Sequence, residues 1–375
     1  MLKKNSGIIL GVCAGITLGQ IGPILQPYQV GAFVDGAHKS PSVAGIILAC
    51  QMISYSVCLV GVSRFMNRFP LFIVGVTGAS LSAIAFLASA WLTGTTSLTL
   101  ANIVIGVGQG LLFAAASAAA AGVAESERVY GIGATIALVI YGILLAIIPF
   151  TQRHLGIMSI FWVSAGTMVL FGPALVGLRA TNNLSNDRSA TLDMPRAIAL
   201  IVMLTLFGLG SGAIYAFAER IGNHIGIEPQ TLGLAFMIAT AAGALGSGAA
   251  AWIGLRLGRS LPLYLALLST GLSSLALARS TTLAEYSLSL LAFQIAYTFS
   301  FPYFLGAAAS LDPSGRLSTL CSGAIFLPSA LGTIFAGFLA QYFTYTLIGV
   351  FALGMCATAV AFVPSIVGRR APAVS

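Results

Sequence analysis

Charge is what this chain has least of. Only 7% of its 375 residues are Asp, Glu, Lys or Arg, against a hydrophobic share of 58%, where a soluble domain carries about 25% charged residues. So few charges cannot cover a water-facing surface, so most of the chain's solvent is lipid. The net charge of +8 is spread as single Lys and Arg residues between apolar runs. That pattern sets membrane topology and argues against a phosphate-binding face, so no nucleic-acid partner is expected.

Other absences narrow the function. The chain has no GxxxxGK[ST] loop, so ATP is not expected as its energy source, and an ion or solute gradient or facilitated diffusion is expected instead. Its five cysteines (Cys13, Cys50, Cys58, Cys321, Cys356) lie in apolar segments without CxxC or ligand-like spacing, so disulfides, metals and cofactors are not expected. The three histidines, His38, His154 and His224, fall between apolar runs and far apart in sequence. With no nucleophile, base or metal ligand at membrane depth, an intramembrane enzyme is disfavoured. No ionisable residue lies in the middle of any apolar run, so a strongly charged solute would find no counter-charge at depth.

What is present is length. Apolar runs of about the 20 residues a membrane helix needs occur at 6–34, 41–62, 70–91, 98–122, 131–150 and 157–178, then at 197–217, 230–253, 262–278, 286–308, 317–338 and 346–366. They are continuously apolar, not alternating with period two, which selects helices over barrel strands. The first run follows Met1-Leu-Lys-Lys and imitates a signal peptide, but it continues through Gly22 and Pro23 to Val34 and is read as the first helix. The expected fold is an all-α integral membrane protein of twelve transmembrane helices. The least hydrophobic stretch, 179–196, divides the chain into halves of 178 and 179 residues, 1–178 and 197–375, each a six-helix bundle.

With the N-terminus in the cytoplasm, 13 of the 17 Lys and Arg residues fall on the inner side and four on the outer. This follows the positive-inside rule and puts both termini and the central loop in the cytoplasm. The halves also echo each other. Pro41-Ser-Val-Ala-Gly45 matches Pro229-Gln-Thr-Leu-Gly233, the loop from Arg64 to Pro70 matches that from Arg256 to Pro262, and Glu125-Ser-Glu-Arg128 matches Asp312-Pro-Ser-Gly-Arg316. Such internal duplication is a mark of secondary transporters.

On these features the chain resembles the major facilitator superfamily over its whole length. The second copy of that family's loop signature keeps Arg256-Leu-Gly258-Arg259 and the first keeps Arg64 and Arg68, and these arginines are candidates for gating loops. The signature's aspartate falls on Ser63 and Leu255, which departs from the pattern of a carboxylate gate. The fifth span lacks the Gly-Pro antiporter signature, which weighs against proton antiport.

The resemblance places spans one, four, seven and ten around a central cavity. Spans one and four carry Gln20, Tyr28, Asn102 and Gln109 on stripes of helical step, and spans seven and ten carry Tyr215, Gln294, Tyr297 and Phe301. Gln51, Tyr55 and Tyr141, on spans two and five, complete the candidate binding set. Each of these also has a structural reading, as an interhelical hydrogen bond or packing contact. Gln26 and Gln29 sit near the outer end of span one, where solvent would satisfy them. Glu219 and Arg220, at the outer end of span seven, are proton-coupling candidates: burial penalises an ionised carboxylate and the neighbouring arginine offsets that penalty.

The expected function is alternating-access transport of a small neutral or weakly charged solute, aromatic, amphipathic or sugar-like, by symport or antiport and with protons as the candidate coupling ion. Efflux of drugs or metabolites by proton antiport, and a receptor or scaffold without transport, are the alternatives. Short loops without an added soluble domain point to a multi-pass protein of a bacterial inner membrane, acting as a monomer with lipid around it.

Overall fold

The computed structural model describes residues 2–63, 69–121, 126–180, 194–253, 256–311 and 316–367, and every regular element among them is helical. Twelve helical stretches are long and apolar enough to cross a membrane, from Gly7–Gly36 to Tyr345–Ile366. The first span consists of α1 (Leu2–Gly19), α2 (Ile21–Gly31) and a π-helical turn over Ala32–Gly36. Spans two to five are α3 (Pro41–Ser63), α4 (Leu71–Ser89), α5 (Thr95–Ala121) and α6 (Ser126–Leu155). The sixth is α7 (Ser159–Phe171) continued by a 3-10 stretch, Gly172–Ala180.

In the second half α8 (Met194–His224), α9 (Pro229–Ile253), α10 (Ser260–Arg279), α11 (Leu283–Leu311) and α12 (Arg316–Tyr342) are single helices, and α13 (Tyr345–Val360) and α14 (Val363–Val367) share the last span. Pro41 and Pro229 open the second span of each half, at the position where a missing N–H costs nothing. The last span of each half is interrupted near its end. An even number of spans returns both ends to one side, called here the terminal face, and the opposite side is the far face.

Two limits of the sequence reading are visible. The seventh span runs to His224, not 217, because nothing in Phe217-Ala-Glu-Arg-Ile221 breaks a helix, so Glu219 and Arg220 belong to the helix and do not end it. Arg179, expected in the central loop, is part of the sixth span, with its guanidinium over the Phe72 ring at 4.0 Å. Of the loop arginines, Arg64 and Arg68 lie outside the described residues. Arg256 is exposed with its guanidinium 5.5 Å from the Trp252 ring, and Arg259 precedes the first turn of α10.

Glycine sets how closely helices approach. At Gly212 of α8, an added Cβ would come within 2.6 Å of the Ser329 Cα and Cβ on α12. The same holds across the halves, where a Cβ at Gly45 of α3 would lie 2.8 Å from the Thr333 carbonyl of α12 and one at Gly233 of α9 would lie 2.9 Å from the Leu145 carbonyl of α6. Spans two and eleven therefore meet, as do spans five and eight. Exchanging the halves maps one pair onto the other, as a duplication requires.

Gly212→Ala is expected to lose about 1–3 kcal/mol through overpacking, seen as a lower melting temperature in detergent. Gly166→Ala, where no heavy atom lies within 4 Å of the added Cβ, is expected to leave melting unchanged or raise it slightly.

Candidate functional site

The site begins with a break in the first span. Gln20, at φ −115° and ψ 8°, leaves the helical path between α1 and α2. Pro23 follows three residues later, inside the first turn of α2, where a backbone N–H has no helical acceptor and its absence is harmless. The backbone near the break is bonded from both sides. On the α1 side, the Tyr141 hydroxyl of α6 donates in a shared bond to the carbonyls of Thr17 at 2.9 Å and Ile16 at 3.2 Å. On the α2 side, the Tyr215 hydroxyl of α8 donates to the Ile24 carbonyl at 2.8 Å. Thus α1 is bonded to its own half and α2 to the other.

Around this break lies a cavity of about 340 Å³, with walls from α1, α2, α3, α5 and α6 on one side and α8, α9, α11 and α12 on the other. That volume falls at the small end of the range for ligand pockets. None of its lining residues is Asp, Glu, Lys, Arg or His. Gln20 and Gln294 face it with side-chain amides that bond to no described residue, and Gln26 reaches across the halves to donate to the Thr333 hydroxyl at 2.9 Å. One wall is a run of near-parallel rings: Tyr215 to Phe293 at 15°, Phe293 to Tyr297 at 20°, and Tyr297 to Phe207 behind it at 14°. Phe301 stands edge-on to Tyr297, with centroids 5.0 Å apart.

The halves are closed against each other on the far face. From Pro41 inward, α3 follows α12 through Gly45 and the Ala49, Met52 and Ala330 cluster to Tyr55 against Phe326, with ring centroids 5.5 Å apart. α2 and the π-helical turn after it close on α8 and α9 through the Tyr215 bond, through Tyr28 against Phe236 at 5.6 Å, and through an ion pair between Asp35 and Arg220. The cavity extends the other way, past Ala134 of α6 and Ser247 of α9, toward the terminal face.

Of the candidate binding residues, Gln20, Tyr141, Tyr215, Gln294, Tyr297 and Phe301 line this cavity, whereas Tyr28, Gln51, Tyr55, Asn102 and Gln109 do not. The break at Gln20 resets the helical phase, so Tyr28 no longer shares a stripe with it. Gln51 donates to Gln109 at 3.4 Å inside the first bundle, packed over Gly22, and Asn102 bonds its own Leu98 carbonyl at 2.8 Å. A polar stripe in such a bundle has two inward directions, toward the cavity and toward its own half.

Gln26 and Gln29 are 4% and 0% exposed, which corrects the expectation that solvent satisfies them: α2 is covered by α3 and α8, and both Gln29 amide atoms lack a partner among the described residues. Asp35 gave no signal in the sequence. It pairs with a residue 185 positions away.

Twelve membrane-length helices around a cavity that is closed on one face are the architecture of a membrane transporter. A family model described as the Major Facilitator Superfamily matches residues 7–320, and the chain belongs to that superfamily; it is a transporter and not an enzyme. No curated protein matches it. Among solved structures it is similar to the nucleoside transporter NupG, with a TM-score of 0.73 and 10% identity over 96% of this chain and 99% of that one. It is also similar to a D-xylose-proton symporter, with a TM-score of 0.75 and 16% identity over 96% of this chain and 98% of that one. At these identities the likeness is one of fold.

Tyr141→Phe removes the donor from two carbonyls beside the break and is expected to lose about 1 kcal/mol, seen as a lower melting temperature. Tyr215→Phe removes a bond between α2 and α8 on the closed far side, so it is expected to raise far-face accessibility about fivefold, read by the rate at which an impermeant thiol reagent added from the far face alone labels a cysteine introduced at Gln26.

Proposed function

We propose that this chain carries a small, uncharged, ring-bearing organic solute across the membrane by alternating access, with the central cavity as its single site. The observation that carries this reading is the cavity's chemistry. Its described lining combines amides at Gln20 and Gln294 that bond to no described residue with a wall of near-parallel rings, and carries no charged side chain. Amides supply paired donors and acceptors to hydroxyl, carbonyl or ring-nitrogen edges, while aromatic faces hold the apolar face of a sugar or a flat heterocycle. A charged solute would enter at a large desolvation cost with no counter-ion. The structural neighbours, named for a nucleoside and for xylose, support a solute of this kind.

The remaining parts of the reading follow from the layout. One chain supplies both walls of the cavity, so a monomer is a complete carrier. The bias of Lys and Arg supports a cytoplasmic terminal face, and short loops suit a bacterial inner membrane. The structure then corresponds to the inward-open state of a carrier driven by an ion gradient.

Proteoliposome counterflow with a panel of nucleosides, sugars and aromatic compounds tests this. For the solute that exchanges, Gln20→Ala and Gln294→Ala are expected to weaken half-saturation at least tenfold, since an unpaired polar edge in a closed site costs about 1–3 kcal/mol. Gln109→Ala, outside the lining, is expected to lower melting temperature with little change in affinity. Exchange confined to strongly charged solutes would overturn the assignment.

A further inference from the structure

A second cavity, of about 400 Å³, opens on the far face where the closed halves meet, and its walls include Asp35, Gln152, Arg153, Glu219, Asn223 and Glu228. Glu219 is its deepest polar group, 8% exposed. One carboxyl oxygen, Oε1, accepts from the Asn223 amide one turn along α8, while the other, Oε2, has no partner among the described residues. That oxygen is pressed against the backbone of the opposite half, since a Cβ at Gly31 of α2 would lie 2.9 Å from it. The next residue, Arg220, is drawn away to Asp35, across the same boundary.

A carboxylate oxygen held out of water with nothing to accept from is costly as an anion and much less so as a neutral acid. The burial exists only while α2 lies on α8. Opening the far side parts Gly31 from Glu219 and lets water reach it, so the closed state holds a proton more tightly than the open one. By linkage, a proton then favours closure. Ionised Glu219 also competes with Asp35 for Arg220, which loosens the cross-half pair, so both effects have one sign.

Other titratable groups surround this carboxyl. The Tyr28 hydroxyl of α2 is buried without a partner among the described residues, and the Tyr286 hydroxyl of α11 is engaged with the Ala218 carbonyl at 2.9 Å. On the same helix Tyr215 is bonded to Ile24, and His224 is stacked on Tyr345 at 5.2 Å. On the rim, Arg153 and Glu228 carry opposite charges.

We propose that this far-face vestibule is a proton-binding site, in which Glu219 takes up the proton and thereby controls the Arg220–Asp35 latch: protonation holds the far gate shut and deprotonation releases it. This rests on reading the chain as an alternating-access carrier, and it adds the site and direction of coupling.

The test is the distance between nitroxide labels at His154→Cys and Leu283→Cys, exposed far-face positions on opposite halves. It is measured by pulsed electron resonance on the full chain in lipid nanodiscs from pH 5 to 9, with the unsubstituted protein as labelling blank. The far-open population is expected to rise at least fivefold with pH. Glu219→Gln, which is nearly isosteric, is expected to stay closed throughout. Asp35→Asn is expected to be more open at every pH yet still pH-dependent, and His224→Gln to follow the unsubstituted protein. A pH response retained in Glu219→Gln, a response of opposite sign, or a shift driven by sodium at fixed pH would overturn the proton site. A population that moves with Asp35→Asn but not with pH would overturn it while leaving the carrier reading in place. Distances fixed under every condition and in every variant would overturn both.

Discussion

A backbone polar group at membrane depth has to be satisfied inside the protein, because lipid offers no partner. The constraint is clearest at the break in the first span. A helix interrupted in lipid exposes backbone groups at considerable cost, and here tyrosines from two other spans bond the carbonyls near the interruption. Because one tyrosine belongs to each half, the arrangement that stabilises the break also ties α2 to the second bundle. Helix chemistry and gate chemistry are therefore the same set of bonds.

The rest of the architecture follows from how closely the halves approach. Glycines at 45 and 233 bring backbone against backbone on the far side, which excludes water and leaves the central cavity open only toward the terminal face. Residues at such a boundary have two environments over a transport cycle. Glu219 is the extreme example, since its burial depends on a glycine in the opposite half. The central cavity differs: the amides and rings of its described lining carry no charge and need no charge partner.

Much of this was legible in composition. The scarcity of charge, the length of the apolar runs and the placing of Lys and Arg gave twelve spans and the family resemblance, because a membrane imposes length and polarity on each segment separately. The polar residues of spans seven and ten were legible too, since α8 and α11 are unbroken and helical step predicts their faces. The first half was harder. Gln20 was found, but Tyr28 lies beyond a break that shifts the helical phase, and Gln51 and Gln109 face each other within their own bundle. Helical periodicity separates inside from lipid. It does not separate one inward direction from another.

The sequence by itself determined the class, the span count and the residue types available at depth, since these depend on local transfer of side chains from water to lipid. Only the tertiary structure decided which amides reach the cavity, that Gln26 and Gln29 are buried, and that Asp35 meets Arg220. Those outcomes depend on contacts between residues nearly two hundred or more positions apart and on the angle between two bundles. Neither is written in the periodicity of any one helix.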